Sequence, residues 1–390
     1  MEAAQEALYM LSALEQAGYE AYLVGGCVRD ALLGQPPKDY DIATQARPPQ
    51  ATEALEAAGC RVHPTGIAHG TVTAVYRGLA VEVTAYRRDG EYLDHRHPSQ
   101  VRFVSQLQED LLRRDFTCNA LAFHPDRGLV DLVGGLPDLR AGLLRCVGDP
   151  MARFEEDALR VLRALRFASV LGFAIEAETA AAVHQRAALL QSVARERISA
   201  ELLKLVCGKR AEPVLGAFWD VLAVCLPGLA ETPDAQKAAC LERLSSLPPD
   251  PLLRLYPLLR CSASPEEDLR ALRLIARQQE SLRLLLALGE QPQSSLPLVR
   301  RLLGKQGEER ARLLLTLQGG QALPLLERCL QEGLCCSLSQ LALGGRELLG
   351  LGLQGPRVGE ALDGLLGLVI EGKLPNDRAA LLEAARRWME

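Results

Sequence analysis

The chain has 390 residues, a net charge of −5, 48% hydrophobic residues and only 4% aromatic residues. This length exceeds what one hydrophobic core usually serves, so the sequence predicts several units, and the scarcity of aromatic residues argues against a sheet-rich sandwich. A negative chain does not attract nucleic acid or anionic membrane as a whole, so any polyanion must meet a local basic surface.

The N-terminal stretch MEAAQEALYMLSALEQAGYEA indicates an amphipathic helix without the basic start and apolar core of a signal peptide. No segment approaches the roughly 18 uninterrupted apolar residues that a membrane span requires. Eleven cysteines occur without a CxxC motif or a Cys/His cluster, which favours reduced thiols. We therefore expect a cytoplasmic protein with no membrane partner.

Residues 1–145 alternate short strand-like runs with helical segments, and the runs are AYLVGG, KDYDIAT, GTVTAVYRG, LAVEVTAYR and GLVDLVG. From about Pro150 onward strand signals nearly vanish. The pattern predicts an α+β head followed by an all-helical remainder, in which Gly172 is expected to end the first helix of the segment RFEEDALRVLRALRFASVLGF.

Within the head, LVGGCVRDALLGQPPKDYDIAT combines two chemical signals. Asp39 and Asp41 are expected on one face of a strand, where two carboxylates suit a hard cation. Gly26 opens a helix after a strand, with Arg29 in its first turn, which is typical of a phosphate site. The alternatives are an acidic strand end and an Arg29 that only pairs with Asp30. A dinucleotide site is weaker, because the GxGxxG spacing is missing.

In the first helix after the head, charged residues recur at every third position: Asp157, Arg160, Arg163 and Arg166. Aspartate only accepts hydrogen bonds and arginine only donates them, so Asp157 and Arg160 together match the amino donor and ring-nitrogen acceptor of cytosine and adenine. Uracil and guanine present the reverse pattern. The alternative is an ordinary helix with internal salt bridges.

Farther along, Ser264-Pro265-Glu266-Glu267 predicts the capped start of a long helix that reaches about Leu288. Between Arg254 and Arg312 there are eleven Lys/Arg against seven Asp/Glu, which makes this part of the chain locally basic. It is either a surface for a polyanion or a set of solvated helix faces.

These motifs resemble, in order, those of class II tRNA nucleotidyltransferases and bacterial poly(A) polymerases, within the polymerase-beta-like nucleotidyltransferase superfamily. The resemblance extends over GGCVRDALLG, KDYDIAT, VEVTAYR, EYLDHRHPSQVRF, QEDLLRRDFTCNALAF, DLVGGLPDLRAGLLRCVGDP, RFEEDALRVLRALRF and ARERISAELLKLV. The tail LALGGRELLGLGLQGPRVGEALDGLLGLVIEGKLPND is similar to bacterial CCA-adding enzymes. The resemblance implies a head at 1–145, a neck at 146–206, a body at 207–320 and a tRNA-binding tail at 321–390.

Position by position, the resemblance implies Mg²⁺ ligands at Asp39 and Asp41, with Glu82 as a candidate third acid or a plain surface carboxylate. It implies nucleotide contacts at Gly26, Arg29, Arg114, Asp157, Arg160, Arg163 and Arg166. Asp115 would be a partner in conformational change.

The implied reaction is the untemplated addition of C, C and A to a tRNA 3′ end from CTP and ATP, with tRNA and not DNA as partner. The DxRxP pattern of Asp94, Arg96 and Pro98 resembles a family loop needed for the final A, which favours full CCA addition over CC-only addition. A CC-only or an A-only enzyme is kept as an alternative. A poly(A) polymerase and a non-catalytic RNA-binding relative stay open. An oxidoreductase is disfavoured by the missing glycine fingerprint.

Overall fold

The computed structural model describes residues 4–89 and 101–386. The strands in these ranges are β1 (Ala21–Val24), β2 (Tyr40–Thr44), β3 (Arg61–Gly66), β4 (Thr71–Tyr76), β5 (Leu79–Ala85), β6 (Arg87–Asp89), β7 (Val101–Phe103), β8 (Leu121–His124), β9 (Gly128–Asp131), β10 (Leu143–Leu144) and β11 (Ala174–Ile175). All lie before residue 176, so the predicted α+β head with a helical remainder is confirmed.

The α-helices fall into two groups, before and after Leu274, where the chain divides into the units Met1–Leu274 and Ile275–Glu390. The first group is α1 (Gln5–Gln16), α2 (Gly26–Leu32), α3 (Pro48–Ala57), α4 (Leu107–Leu112), α5 (Gly135–Ala141), α6 (Pro150–Glu156), α7 (Leu159–Leu171), α8 (Ala177–Arg186), α9 (Arg195–Val206), α10 (Ala211–Ala217), α11 (Trp219–Cys225), α12 (Asp234–Ser246), α13 (Pro251–Cys261) and α14 (Pro265–Ala271). The second group is α15 (Ala276–Leu288), α16 (Leu296–Leu317), α17 (Leu323–Gln331), α18 (Gly345–Gly350), α19 (Pro356–Ile370) and α20 (Arg378–Arg386). The four predicted segments remain a finer prediction than this division.

A seven-stranded mixed sheet organises the head, with the strand order β3-β4-β5-β2-β1-β8-β9. Strands β2 and β5 run parallel, and the other neighbours run antiparallel. In β5, Val81 and Val83 are buried whereas Glu82 is exposed, so this strand alternates as its sequence predicts. The turn between β4 and β5 uses Arg77 and Gly78 with φ of 48° and 89°, the left-handed pair that favours a tight hairpin.

The two faces of this sheet are covered differently. Helices α1 and α3 pack on the sheet and contribute the fully buried Leu11, Leu14 and Leu55. A second core cluster, on the face that carries Asp41, includes Tyr22, Val24, Ala43, Tyr86 and Ala122, with Leu107 and Leu111 of α4 packed on it. Beyond α4 this face is polar, and the candidate site lies there.

The segment after the head departs from its sequence-based prediction at one point. A single helix was expected over RFEEDALRVLRALRF, but α6 ends at Glu156 and α7 begins at Leu159. Asp157 between them has an extended backbone with φ −134° and ψ 101°. Gly172 ends α7 in the left-handed conformation (φ 81°), as predicted.

The long helix predicted from Ser264 to Leu288 is also wrong, because the chain forms α14 and α15 with Arg273 at φ 45° between them. Ser264 makes no side-chain capping bond. The helical spacing of apolar residues continues across this break, so the sequence gives no sign of it. A single residue with a positive φ is enough to end a helix.

In Ile275–Glu390 the helices enclose their own core, which includes Leu348, Leu365 and Leu381. Arg300 is 7% exposed and donates hydrogen bonds to the carbonyls of Cys335, Val369 and Ile370. It thereby supplies donors to two carbonyls in the last turn of α19, of which that of Val369 also accepts from the Gly372 N–H. No helix in residues 4–89 and 101–386 is long and apolar enough to cross a membrane.

Candidate active site

Two carboxylates are brought side by side by strand pairing. Asp41 on β2 lies directly opposite Glu82 on β5 in the parallel ladder, so the two side chains leave the same face of the sheet. Asp39 is exposed and lies one residue before β2, outside the strand in which the sequence pattern placed it.

The surroundings of Asp41 disfavour the charged form of its carboxyl group. Burial, with the negative charges of Glu82 and Asp39, raises its pKa to about 6, although Arg114 opposes this shift. Oxygen donors that repel one another suit a divalent cation, which removes the repulsion when it binds. Among the described residues, no group of three or more His, Cys, Asp or Glu side chains is arranged to hold a metal ion. The fit therefore rests on Asp41 with its two acidic neighbours.

The glycine turn before α2 brings a cation close to these acids. Gly25 has φ 74°, and a Cβ atom added to it would lie 2.9 Å from Arg114 Nη1 and 3.8 Å from Asp41 Oδ2. Any side chain here would displace the arginine, so glycine is required both by its conformation and by the available space. Gly26 then begins α2.

Arg29, a predicted phosphate contact, has partners inside the protein. Its Nη1 donates to Asn119 Oδ1 at 2.6 Å, and its Nη2 pairs with Asp30 Oδ1 at 2.7 Å. The residue is only 9% exposed. The alternative that Arg29 pairs with Asp30 is therefore what the structure shows, and a phosphate role remains a prediction.

Arg113 and Arg114 are held by one buried acid. Asp110 is 1% exposed and lies 2.7 Å from Arg113 Nη2 and 3.1 Å from Arg114 Nη2. Burial alone would raise the pKa of Asp110, but the two guanidinium groups outweigh burial and lower it. Arg114 Nε is buried without a hydrogen-bond partner among the described residues. A donor beside Asp41 thus lacks an acceptor.

Asp157 and Arg160, the predicted base-selecting pair, do not bond to each other. Asp157 Oδ1 accepts from the backbone N–H of Leu159 at 3.2 Å, and its Oδ2 lies 3.4 Å from Arg197 Nη2. Arg160 pairs with Glu156 at 2.6 Å and also donates to the Arg113 carbonyl. The break between α6 and α7 thus orients the two side chains separately.

Arg163 and Arg166 belong to a chain of alternating charges. Asp115 Oδ2 lies 2.6 Å from Arg163 Nη2, and Glu201 lies 3.7 Å from Arg163 Nη1 and 2.5 Å from Arg166 Nε. Burial alone would raise the pKa of Asp115, but Arg163 and a hydrogen bond from Asn119 lower it to about 2. The guanidinium of Arg166 also lies 3.6 Å from the Phe167 ring centroid.

One cavity of about 400 Å³ brings most of these groups together. Of the predicted site residues, those that line it are Asp41, Glu82, Arg114, Asp157, Arg160 and Arg163. The predicted residues outside the lining are Asp39, Gly26, Arg29 and Arg166. The loop residues Asp94, Arg96 and Pro98 lie outside the described part of the chain.

Sequence reasoning missed several lining residues, namely Thr71, Thr84, Arg87 and Arg113. Arg113 directly precedes the predicted Arg114, so the Arg-Arg pair in the sequence could have indicated that both residues belong to the site. Thr84 follows Glu82 by two residues in β5, so strand alternation was an available signal for it, whereas only the strand register shows that Thr71 shares this face.

Two family models match separate parts of the unit Met1–Leu274. Residues 21–145 match the model of the poly A polymerase head domain. Residues 172–231 match a model described as "Probable RNA and SrmB- binding site of polymerase A". A CCA-adding enzyme from Limosilactobacillus fermentum is 39% identical over 96% of this chain and 95% of its own length. The chain belongs to the CCA-adding enzyme family. The predicted family and its class, nucleotidyltransferase, are confirmed.

Other CCA-adding enzymes support this assignment over the whole chain. The enzyme from Lacticaseibacillus paracasei is 37% identical over 97% of this chain and 95% of its own. The crystal structure of the Bacillus stearothermophilus CCA-adding enzyme in complex with CTP has a TM-score of 0.83, 32% identity, and coverage of 98% and 96% of the two chains. The Thermotoga maritima CCA-adding enzyme complexed with tRNA_CCA, at 22% identity and TM-score 0.65, shares the fold. Family membership also implies dependence on a divalent metal.

Proposed function

We propose that this protein adds C, C and A to the 3′ end of tRNA, using CTP and ATP and releasing pyrophosphate. The observation that carries the proposal is a cavity whose lining includes Asp41 and Glu82 together with Asp157 and Arg160. One wall holds acids suited to phosphoryl-group chemistry, and the other holds an acceptor and a donor suited to reading a base. In the proposed reaction, the tRNA 3′-hydroxyl attacks the α-phosphate and pyrophosphate leaves.

Asp39 and Asp41 are proposed to hold Mg²⁺, with Glu82 as a further ligand. Such a cation, when bound, lowers the pKa of the attacking hydroxyl and neutralises phosphate charge. Asp41 is fixed by its strand, whereas the exposed Asp39 precedes it and must turn toward the cavity. Arg114, whose Nη1 lies 2.9 Å from the position of a Gly25 Cβ, lines the cavity and is proposed to bind the triphosphate with its guanidinium group. Gly26 and Arg29 border this turn.

Base choice is proposed to rest on Asp157 as acceptor and Arg160 as donor. Their present partners supply the orientation: Arg197 and the Leu159 N–H fix Asp157, and Glu156 fixes Arg160. A uracil or guanine would set donor against donor and acceptor against acceptor, which costs about 1–3 kcal/mol per unpaired buried group. Arg163 and Arg166 are proposed as further nucleotide contacts, with Asp115 and Glu201 holding them.

The remaining work is proposed to be divided along the chain. The head (1–145) performs transfer, the neck (146–206) selects the base, and the body (207–320) and tail (321–390) bind tRNA. Lys305, Arg346 and Arg357 are exposed on helices of the second unit and suit the sequence-independent binding of backbone phosphates. All eleven cysteines are free thiols, which favours a cytoplasmic setting.

The test uses purified protein, Mg²⁺, a tRNA that ends before CCA, and each labelled nucleotide separately and in combination. We expect two C residues from CTP alone and one further A once ATP is added, with no incorporation from UTP or GTP. Absence of incorporation from both CTP and ATP would contradict the proposal. Addition that stops after CC would indicate a partial enzyme.

A second candidate is poly(A) addition, because the family model that matches the head is that of poly A polymerases. The same assay separates the two activities. ATP alone would then produce long A tracts on RNA that lacks a tRNA fold, and CTP would not be used.

A further inference from the structure

The sheet order separates the cavity into two sides around Asp41. The strands run β4, β5, β2, β1 across this part of the sheet, and Asp41 lies on β2. On the β1 side lies Arg114, next to Gly25. On the β4 side lie Thr71 and Thr84. The transfer needs two substrates, and within the cavity the proposed function gives a position only to the nucleotide, on the arginine-rich side.

Thr71 and Thr84 are joined by a hydrogen bond between their hydroxyl groups. Thr71 on β4 lies directly opposite Thr84 on β5, and their Oγ1 atoms are 2.9 Å apart. Thr84 follows Glu82 by two residues on the same strand, so both point to the cavity face. Each hydroxyl has one donor and two acceptor positions. The shared bond uses one donor, which leaves the pair one donor and several acceptor positions for a ligand.

We infer that Thr71 and Thr84 bind the ribose of the 3′-terminal nucleotide of the RNA being extended, through its 2′-hydroxyl. This inference rests on the proposed function. A 2′-hydroxyl both donates and accepts, as the threonine pair does, and it is the group by which a protein distinguishes RNA from DNA at a given position. The third lining residue on this side, Arg87, donates to the His69 carbonyl. The ribose would thus place the adjacent 3′-hydroxyl beside Asp41 and Glu82.

The first experiment needs no variant. Two tRNA substrates are compared that end before CCA and differ only in a 2′-hydroxyl or 2′-hydrogen on the terminal nucleotide. Incorporation of C into the ribose substrate shows that the proposed function holds. We expect the KM for the 2′-deoxy substrate to be about ten-fold higher, the size expected for one hydrogen bond. Equal KM values for the two substrates would overturn the inference and leave the proposed function intact.

The second experiment removes both hydroxyls in the double variant Thr71→Val/Thr84→Val. Valine keeps the β-branched shape, and the loss of both partners leaves neither one unpaired. We expect the KM for the ribose substrate to rise about ten-fold, with no further rise for the 2′-deoxy substrate and an unchanged KM for CTP. A variant that still distinguishes the two substrates as the wild type does would overturn the inference.

A matched control lies on the same sheet. Thr65 and Thr73 form a second hydroxyl pair, with Oγ1 atoms 2.7 Å apart, and neither residue lines the cavity. Thr65→Val/Thr73→Val should therefore keep the wild-type ratio of the two KM values. If this control loses the ratio as fully as Thr71→Val/Thr84→Val does, the effect belongs to the sheet and the inference is overturned.

Discussion

The cavity has a head wall with Asp41 and Glu82 and a neck wall with Asp157, Arg160 and Arg163, and the two walls differ in how their charges are paired. On the head wall, Asp41 and Glu82 repel each other, and burial together with this repulsion raises the pKa of Asp41 to about 6. On the neck wall each cavity-lining charge has an opposite partner: Arg160 with Glu156, Arg163 with Asp115, and Asp157 with Arg197.

This difference teaches how the two tasks place different demands on the fold. A wall that selects a base has to present fixed donors and acceptors before the nucleotide arrives, so its side chains are oriented by ion pairs. A wall that receives a cation has to keep its acids together despite their repulsion. The acids of the head wall thus repel one another until a proton or a cation binds, whereas the charges of the neck wall are already paired.

The largest effect is expected from Asp41→Asn, which removes the central acid of the head wall. The turnover number should fall by about 10²–10³-fold or more, as for the loss of a preorganised transition-state group. In the absence of metal, the same variant should be more stable at pH 7.5. A raised folded-state pKa means that the native protein holds a proton more tightly than the unfolded chain, so wild-type stability decreases as pH rises from about 4 through 6.

Thermal unfolding in EDTA checks this prediction. After allowance for partial solvent exposure, the gain should be about 1–2 kcal/mol. It should vanish at pH 4, where Asp41 is protonated. A less stable variant at pH 7.5 would contradict the view that the head wall is strained.

The next effect concerns the neck wall, where Asp115→Asn leaves Arg163 without its nearest partner. We expect a loss of about 3 kcal/mol of folding free energy at pH 7, at the lower end for a broken buried pair because Glu201 remains 3.7 Å away. Because the folded-state pKa of Asp115 is depressed to about 2, this stabilisation is present above about pH 4 and is lost as pH falls through 2.

Urea unfolding measures the loss. The matched control is Asp234→Asn, which breaks the ion pair with Lys237 but whose aspartate side chain is 97% exposed. It should change the free energy of unfolding by less than about 0.5 kcal/mol. Equal effects of the two variants would mean that the neck wall is not held by its ion pairs.

A smaller effect is expected from Asp157→Ala, which removes an acceptor from the neck wall. The preference for CTP over UTP should fall by about 10–100-fold, corresponding to one or two lost hydrogen bonds. The exposed Asp126 supplies the control, and Asp126→Ala should leave the preference unchanged. Competition between labelled CTP and UTP measures the ratio, and an unchanged ratio in Asp157→Ala would refute the assignment.

The smallest effect is a change of the Asp41 titration in the metal-free protein. Glu82→Gln should lower the pKa of Asp41 from about 6, because Glu82 contributes more than Asp39 to raising it. Asp39→Asn should lower it less. NMR titration of the Asp41 carboxyl carbon measures both changes, and the reverse order would show that Asp39 is the closer acid.

The sequence predicted which kinds of side chain form each wall better than it predicted the backbone that positions them. The period-two alternation of β5 placed Glu82 opposite Val81 and Val83, because alternation follows directly from strand geometry. The helical period of RFEEDALRVLRALRF continued across Asp157, where the chain breaks between α6 and α7. Periodicity records which face is buried and is insensitive to one extended residue.

Partners that are distant in the chain were beyond sequence reasoning. Asn119 accepts a hydrogen bond from the guanidinium of Arg29, 90 residues away in the chain. Glu201 accepts one from Arg166, 35 residues away. Neither contact leaves a local spacing in the sequence. The same holds for Thr71 and Thr84, whose pairing depends on the register of β4 and β5.

The central claim is that the head wall performs nucleotide transfer and the neck wall selects the base. The most direct test is the ratio of CTP to UTP affinity in Asp41→Asn and Asp157→Ala, measured by calorimetry with Mg²⁺ present. We predict that Asp41→Asn retains the wild-type ratio although it no longer transfers nucleotides, and that Asp157→Ala loses most of the ratio. Loss of the ratio in Asp41→Asn, or its full retention in Asp157→Ala, would contradict the account.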